Sequence, residues 1–180
     1  MKKQNISLKR RNLFDSNAQT LCNAVNTVGV MGAGIAKEFK SRYPEMFADY
    51  KQRCEEKRVL IGKPYCWKPA DESARWVLIF PTKRHWRNPS QIEWLESGLQ
   101  HLTENYKKWG IRSLAMPALG CSLGGLDWKQ VRPLMEKYLD EMDVPVEIYE
   151  PLPNSKKHIR KRRIRSRKKR PASLKQRALF

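Results

Sequence analysis

Short apolar segments suited to β-strands alternate with helical patterns along the first 150 residues, and this alternation limits the possible folds more than any other feature. Turn residues bound each apolar segment, which predicts strands near residues 6–14, 20–25, 64–68, 76–81, 113–118 and 144–150. The run at 76–80 is apolar at every position, as expected for a strand buried on both faces. We therefore predict a three-layer α/β/α fold around a mixed, largely parallel central sheet.

Four helical patterns lie between the predicted strands. The first two cover residues 35–42 and 45–57. Ser90 and Glu93 have the spacing of a capping box, which predicts the start of the third helix. The fourth is predicted to start at Asp127, acting as its N-cap. The apolar residues that this last helix should bury are Val131, Leu134, Met135, Tyr138 and Leu139.

The positive charge is concentrated at the two ends of the chain. Of a formal net charge of +19, residues 154–180 carry +13 and residues 1–11 carry +5, in both cases without any acidic residue. We therefore predict one domain over residues 1–153, followed by a basic, disordered tail over 154–180 whose like charges repel one another. Such a tail suits the phosphate backbone of DNA or RNA, although a nuclear-targeting signal or a ribosome-adhesive tail has the same composition.

Other classes of protein are disfavoured by what the sequence lacks. No apolar run approaches the ~20 residues needed to cross a bilayer, and no apolar stretch follows Lys2 and Lys3 as it would in a secretory signal. The four cysteines form no CxxC pair, and the three histidines have no spacing typical of metal ligands. We expect a cytoplasmic protein without a metal site or membrane contact, and a monomer by default.

The first loop of chemical interest follows the predicted strand at 20–25. Ligands of open α/β sheets lie outside the carboxyl ends of the strands. Gly29, Gly32 and Gly34 precede a helix here, so the backbone can approach a phosphate and the helix N-terminus offers free N–H groups. Asn26 suits ribose hydroxyls. A glycine-rich connector without any ligand accounts for the same pattern.

A second glycine-rich loop follows the predicted strand at 113–118. It contains Gly120, Gly124 and Gly125, and two such loops on one sheet suggest a diphosphate held from both sides. Cys121 is interpreted as a packing residue because no histidine can be assigned to activate it. Asp127 is interpreted as a helix N-cap in preference to a catalytic acid.

The third loop follows the predicted strand at 76–81 and mixes cations with aromatic rings. Its residues from Lys83 to Arg87 include three cations, His85 and Trp86. Neighbouring cations or desolvation could lower the pKa of the Lys83 amine and make it nucleophilic. A basic loop that contacts phosphates without doing chemistry remains the alternative.

The three loops read, in chain order, NAVNTVGVMGAGIA, FPTKRHW and MPALGCSLGGLDW. Over about residues 6–150 they resemble the macrodomains, which are ADP-ribose-binding α/β modules. The sequences of these loops are most similar to those of the macrodomain of DarG-type antitoxins. These antitoxins are DNA ADP-ribosyl glycohydrolases that reverse the thymidine ADP-ribosylation made by the toxin DarT. The terminal ADP-ribose protein glycohydrolases are the next relatives.

The resemblance implies a role for particular residues. Lys83 would be the catalytic residue, attacking the anomeric C1″ of ADP-ribose, and Asn26 would face the distal ribose. ADP-ribose would be the ligand or product, and no cofactor is expected. The residues that would bind it are Asn12, Leu13, Asn23, Asn26, Val28, Gly29, Met31, Gly32, Ala33, Gly34, Ile35, Thr82, His85, Leu119, Gly120, Cys121, Ser122, Leu123, Gly124 and Gly125.

The sequence departs from the family pattern at three places. Arg11-Asn12 stands where a Gly-Asp pair normally contacts adenine, so adenine selectivity should be looser. Gly124 replaces the acidic residue of the protein-directed relatives, which favours nucleic acid over glutamyl esters and leaves Asp127 or His85 as the available general acid. The basic tail stands where the additional domain of DarG antitoxins would begin.

We therefore expect an ADP-ribosyl glycohydrolase that acts on ADP-ribosylated nucleic acid, with DNA bases as the substrate and a DarT-like ADP-ribosyltransferase toxin as a partner. The alternatives are a non-hydrolytic ADP-ribose reader and an ADP-ribose 1″-phosphate phosphatase.

Overall fold

The computed structural model describes residues 5–71 and 73–151. The basic tail predicted over 154–180 lies outside these residues. In the described ranges, no helix combines the length and the apolar character that crossing a bilayer requires.

The described residues form one six-stranded sheet with helices on both faces. In chain order the elements are β1 (Ile6–Lys9), β2 (Thr20–Asn26), α1 (Gly34–Arg42), α2 (Pro44–Glu55), β3 (Tyr65–Trp67), β4 (Trp76–Lys83), α3 (Ile92–Trp109), β5 (Leu114–Pro117), α4 (Trp128–Leu139) and β6 (Val146–Tyr149). The strand order is β1-β6-β5-β2-β4-β3, and every neighbouring pair is parallel except β3 with β4. The predicted mixed, largely parallel sheet is confirmed.

Strand β4 explains why the fold has three layers. Val77 and Ile79 belong to the hydrophobic cluster that includes α1 and α2, whereas Leu78 and Phe80 belong to the cluster that includes α3 and α4. All four side chains are completely buried. Because successive strand residues point to opposite faces, an entirely apolar strand requires helices on both sides. The prediction for the run at 76–80 is confirmed.

The predicted strand at 6–14 is wrong over its second half. Strand β1 ends at Lys9, and a 3-10 helix forms over Leu13–Asp15. The Asn12 side chain caps this helix by accepting a hydrogen bond from the Phe14 amide at 3.1 Å. Leu13 and Phe14 are buried, so the apolar residues that resembled a strand instead anchor a turn against the core. Local capping competes successfully with strand formation here.

The capping box predicted at Ser90 and Glu93 is also wrong. Helix α3 begins at Ile92, and its N-cap, Gln91, makes no capping hydrogen bond with its side chain. Ser90 is buried, and its amide donates to the carbonyl of Gly124 at 2.9 Å. Ser90 therefore does not cap the helix, because its amide binds a loop 34 residues later in the chain.

The predicted start of α4 is confirmed. The Asp127 carboxylate accepts a hydrogen bond from the Lys129 amide at 3.0 Å, as an N-cap does. Val131, Met135 and Leu139 are buried as predicted. Leu134 and Tyr138 are only partly buried, because they pack at the flank of the core cluster.

Candidate active site

The three loops singled out from the sequence lie at one edge of the sheet. Strands β5, β2 and β4 are parallel neighbours, so their carboxyl ends coincide. Asn26 at the end of β2 is paired directly with Lys83 at the end of β4, after a register shift between Val25 and Asn26. The sheet order therefore assembles the two glycine-rich loops and the basic loop around one position.

Asn26 shapes the first loop. Its Oδ1 accepts hydrogen bonds from the amides of Val28 at 3.0 Å and Val30 at 3.3 Å, and its Nδ2 donates to the Val30 carbonyl at 2.6 Å. The buried Tyr50 hydroxyl donates to the Asn26 carbonyl at 2.7 Å. The amide group of Asn26 thus holds the loop in shape. Its contact with a ribose stays a prediction.

The first loop leads into a helix N-terminus that is open to a ligand. Helix α1 starts at Gly34, which has a φ of +59°, and its N-cap Ala33 has no side chain able to satisfy the first amides. The helix after the second loop differs, since the carboxylate of Asp127 already occupies its N-terminus. An anionic ligand would accordingly be held by the amides of α1.

The second loop closes tightly on itself. The Leu126 amide donates to the carbonyl of Gly120 at 3.0 Å, and Gly120 has a φ of +68°. A Cβ atom at Gly124 would lie 2.2 Å from that same carbonyl oxygen and 2.5 Å from Ser90 Oγ. The loop therefore has no room for any side chain at position 124.

Lys83 connects the loops. It is only 9% exposed, and its Nζ donates to the backbone carbonyl of Leu123 in the second loop. The Leu123 side chain lies against the start of α1, since a Cβ at Gly34 would come within 3.2 Å of its Cδ1. Desolvation by burial lowers the pKa of Lys83 below its usual value. Of the two causes considered from the sequence, desolvation is the one that acts.

The third loop is exposed but tied to the first. Thr27 Oγ1 donates to the carbonyl of Arg84 at 2.8 Å. The rings of His85 and Trp86 are stacked, with centroids 5.3 Å apart, and the Arg87 guanidinium lies 4.5 Å from the Trp86 ring centroid. The Arg87 amide donates to Nδ1 of His85 at 3.3 Å. The loop is a compact group of planar side chains beside Lys83.

Several predicted residues lie beneath or beside these loops. Asn23 is fully buried, with Nδ2 3.7 Å from Sδ of the buried Met31, and Thr82 is buried in β4. Cys121 packs against the core and donates to the Leu119 carbonyl at 3.4 Å, in line with a packing role. Asn12 caps the 3-10 helix that contains Leu13, and this helix follows β1 and lies beside β5. The remaining predicted residues form the first and second loops.

Tyr50 and Ser90 support the site and were not among the predicted residues. Tyr50 lies on α2 and holds the first loop through Asn26, and Ser90 holds the second through Gly124. No local pattern marks either residue, because each contact joins segments more than 20 residues apart. Across residues 5–71 and 73–151, no group of three or more His, Cys, Asp or Glu residues is arranged to hold a metal ion.

Together, the fold and the site define an α/β protein whose open helix N-terminus, two glycine-rich loops and buried lysine suit a phosphorylated ligand. Residues 22–135 match the model of the Macro domain family, and the chain belongs to that family.

Known proteins similar to this chain fall in the same family. A DNA ADP-ribosyl transferase–DNA ADP-ribosyl glycohydrolase fusion protein from Thermosipho africanus is 47% identical over 83% of this chain and 42% of its own length. The solved structure of Thermosipho africanus DarTG in complex with ADP-ribose has a TM-score of 0.79 and 48% identity, covering 84% of this chain and 43% of that one. The macrodomain of Mycobacterium tuberculosis DarG has a TM-score of 0.78 and 38% identity, covering 81% of this chain and 97% of that one. This chain spans about two fifths of the length of the first curated relatives it matches.

Proposed function

We propose that this chain binds ADP-ribose and acts as an ADP-ribosyl glycohydrolase on nucleic acid, with ADP-ribosylated DNA bases as the substrate. The observation that carries the proposal is the buried amine of Lys83, held between the two glycine-rich loops. The names of the relatives support it, and so does the ADP-ribose present in the Thermosipho africanus complex.

In the proposed reaction the diphosphate lies at the N-terminus of α1, where the free amides of the first turn stabilise its charge. The neutral Nζ of Lys83 attacks C1″ as the bond between C1″ and the base nitrogen breaks, and the base leaves with that electron pair and a proton. Water then adds to C1″ and releases ADP-ribose, its proton returns to the group that protonated the base, and Nζ recovers its electron pair. The reaction needs water and no cofactor.

Two side chains near the site could donate a proton to the leaving base. Asp127 is engaged as the N-cap of α4, where its carboxylate binds an amide, so it is poorly suited to the role. His85 lies on the exposed loop directly after Lys83, with its Nδ1 accepting from the Arg87 amide. We assign the donor to His85 or to water at the mouth of the site.

The second loop supports nucleic acid as the substrate class. The resemblance to protein-directed relatives would place a carboxylate at position 124, but a Cβ there would lie 2.2 Å from the Gly120 oxygen. A catalytic carboxylate at that position would require a different loop. The site therefore depends on Lys83 and not on a carboxylate at position 124, as the DNA-directed relatives lead us to expect.

The partners follow from the same proposal. A relative in which the transferase and the glycohydrolase are fused supports a DarT-like ADP-ribosyltransferase as the partner enzyme of this chain. The basic residues of 154–180 would bind the phosphate backbone and bring the substrate to the site.

The test compares Lys83→Ala with the wild-type chain on an ADP-ribosylated single-stranded oligonucleotide. We expect release of ADP-ribose to be lost while binding of free ADP-ribose, measured by calorimetry, is largely retained. Lys63→Ala, at an exposed lysine on another loop, serves as the matched control and should retain activity. Full activity of Lys83→Ala would rule out the lysine mechanism.

A non-hydrolytic ADP-ribose reader is the second candidate, and one observation favours it. The Lys83 amine already has a partner in the Leu123 carbonyl, a contact that a purely structural lysine would also make. A wild-type chain that binds the modified oligonucleotide and never releases ADP-ribose would establish the reader.

A further inference from the structure

The loop at 84–87 has the features of a binding surface beside the candidate active site. We propose that it stacks against an unpaired base next to the ADP-ribosylated one. This inference rests on the proposed function and adds to it a second subsite with its own residues.

The first observation is the exposure of apolar groups around this edge of the sheet. Among the residues that the structure describes, six large apolar side chains are exposed, and four of them lie on the three loops of the site. These four are Val28, Val30, Trp86 and Leu123. Trp86 is the largest, with 46% of its surface exposed. A clustered apolar rim on a folded domain is typical of a binding surface.

The second observation is the geometry of the planar side chains. The imidazole of His85 and the indole of Trp86 are stacked at an interplanar angle of 29°, and the Arg87 guanidinium lies over the indole. Bases stack on aromatic rings and on guanidinium planes, whatever their identity, because every base has a π-face. An unpaired base can join this stack or take the place of Arg87 in it.

The third observation is unpaired positive charge. Arginines elsewhere in the domain, such as Arg42, Arg53 and Arg132, each form an ion pair with a carboxylate. Within residues 5–71 and 73–151, neither Arg84 nor Arg87 has such a partner, and both are exposed. The Arg87 guanidinium lies over the Trp86 ring and that of Arg84 lies 5.4 Å from the centroid of the Trp94 ring, so both cations are held on aromatic faces without a neutralising carboxylate. Such cations complement the phosphates and bases of a single strand.

The fourth observation is that the loop at 84–87 lies close to Lys83. Trp86 follows Lys83 by three residues, so their Cα atoms are at most about 11 Å apart. The bond from Thr27 Oγ1 to the Arg84 carbonyl fixes the start of the loop against the first glycine-rich loop. A base neighbouring the one whose C1″ bond is broken therefore comes within reach of Trp86. A duplex would not supply it, because each base of a duplex is stacked on neighbouring base pairs at both faces.

The experiment measures affinity, so that its outcome does not depend on turnover. The probe is a short oligonucleotide carrying ADP-ribose through a carbon linkage that cannot be hydrolysed. A second probe is identical except for abasic sugars on both sides of the modified position. Because the two probes carry the same phosphates, contacts from the basic residues of 154–180 contribute equally to both.

We expect the wild-type chain to bind the probe with intact flanking bases roughly 10-fold more tightly than the abasic probe. In Trp86→Ala that preference should disappear, and in Trp86→Phe, which keeps a stacking ring, most of it should remain. Leu60→Ala removes another exposed apolar side chain outside the three loops and should leave the preference as in the wild type.

Equal affinity of the wild-type chain for both probes would overturn the inference, as would a full preference in Trp86→Ala. Failure of the proposed function looks different: free ADP-ribose would not bind, and neither probe would bind more tightly than the same oligonucleotide without ADP-ribose, which would remove both proposals. A preference lost in Trp86→Phe as well as in Trp86→Ala would mean that stacking is not the contact, and would also overturn the inference.

Discussion

An alanine at position 124 would place a methyl group where the second glycine-rich loop closes. Its Cβ would lie 2.2 Å from the Gly120 carbonyl oxygen and 2.5 Å from Ser90 Oγ, whereas real Cβ atoms essentially never come within 3.0 Å of another heavy atom. The Ser90 hydroxyl can rotate away. The Gly120 oxygen cannot move freely, because it accepts the Leu126 amide at 3.0 Å.

The expected loss of affinity follows from the contact between the new Cβ and the Gly120 backbone. Overpacking costs about 1–3 kcal/mol, and a clash with a hydrogen-bonded carbonyl should lie at the upper end of that range. If the loop opens to relieve it, about 3 kcal/mol lowers the ratio of closed to open loop roughly 100-fold. Leu123 moves with the loop, so Lys83 loses the carbonyl that holds its amine. We therefore expect Gly124→Ala to weaken ADP-ribose binding, by at most about 100-fold.

The assay is calorimetric titration with ADP-ribose, combined with thermal unfolding. Gly110→Ala is the control for a loss of stability alone, because Gly110 has a φ of +82°, lies at the end of α3 and has no clash closer than 3.5 Å. It should lower the free energy of unfolding by about 1–2 kcal/mol and leave the affinity unchanged. Ser90→Ala combined with Gly124→Ala removes only the contact with Ser90, leaves those with the Gly120 backbone and should not restore binding.

Wild-type affinity in Gly124→Ala would refute the reasoning, because it would mean that the loop shape is irrelevant to the ligand. Recovery of binding on adding Ser90→Ala would refute the assignment of the cost to the Gly120 backbone. A loss of affinity in Gly110→Ala equal to that in Gly124→Ala would attribute the effect to general destabilisation.

Three further changes have defined outcomes. Burial lowers the pKa of Lys83, and attack needs the neutral amine. The single-turnover rate of ADP-ribose release should therefore rise with pH and become constant above the pKa of Lys83, which lies below 10.5. A rate that does not change between about pH 7 and pH 10 contradicts this. Tyr50→Phe removes the hydroxyl that donates to the Asn26 carbonyl, so the free energy of unfolding measured with denaturant should fall by about 1–3 kcal/mol. Tyr43→Phe is the control and should change it little, because the Tyr43 hydroxyl has no hydrogen bond within the described residues. Deleting 154–180 should flatten the dependence of oligonucleotide affinity on salt, and an unchanged slope excludes these residues as the phosphate anchor.

Features that depend on local pattern were predictable from the sequence. The apolar run at 76–80 required helices on both faces of the sheet, and β4 is buried on both. The N-cap at Asp127 forms as expected, because the carboxylate and the amide it binds are two residues apart. Both signals act over a few residues, where intrinsic geometry decides the conformation.

Features that depend on distant contacts were not predictable. Leu13 and Phe14 suit a strand, yet they form a 3-10 helix because their side chains reach the core from there. Ser90 has the spacing of a capping residue, but its amide binds Gly124 and its side chain lies within the second loop. In each case a contact outside the segment outweighs a preference within it, and such contacts leave no mark in the neighbouring residues.

By itself, therefore, the sequence determined the layers of the fold, the three loops and the candidate residues of the site. The tertiary structure alone decided how those residues are used. Parallel strand pairing sets Asn26 beside Lys83, burial lowers the pKa of the lysine, and the Leu123 carbonyl, 40 residues later, holds its amine in place. The physical reason is range: helix, strand and turn signals act over a few residues, whereas desolvation and hydrogen bonding at this site depend on segments that meet only when the sheet is complete.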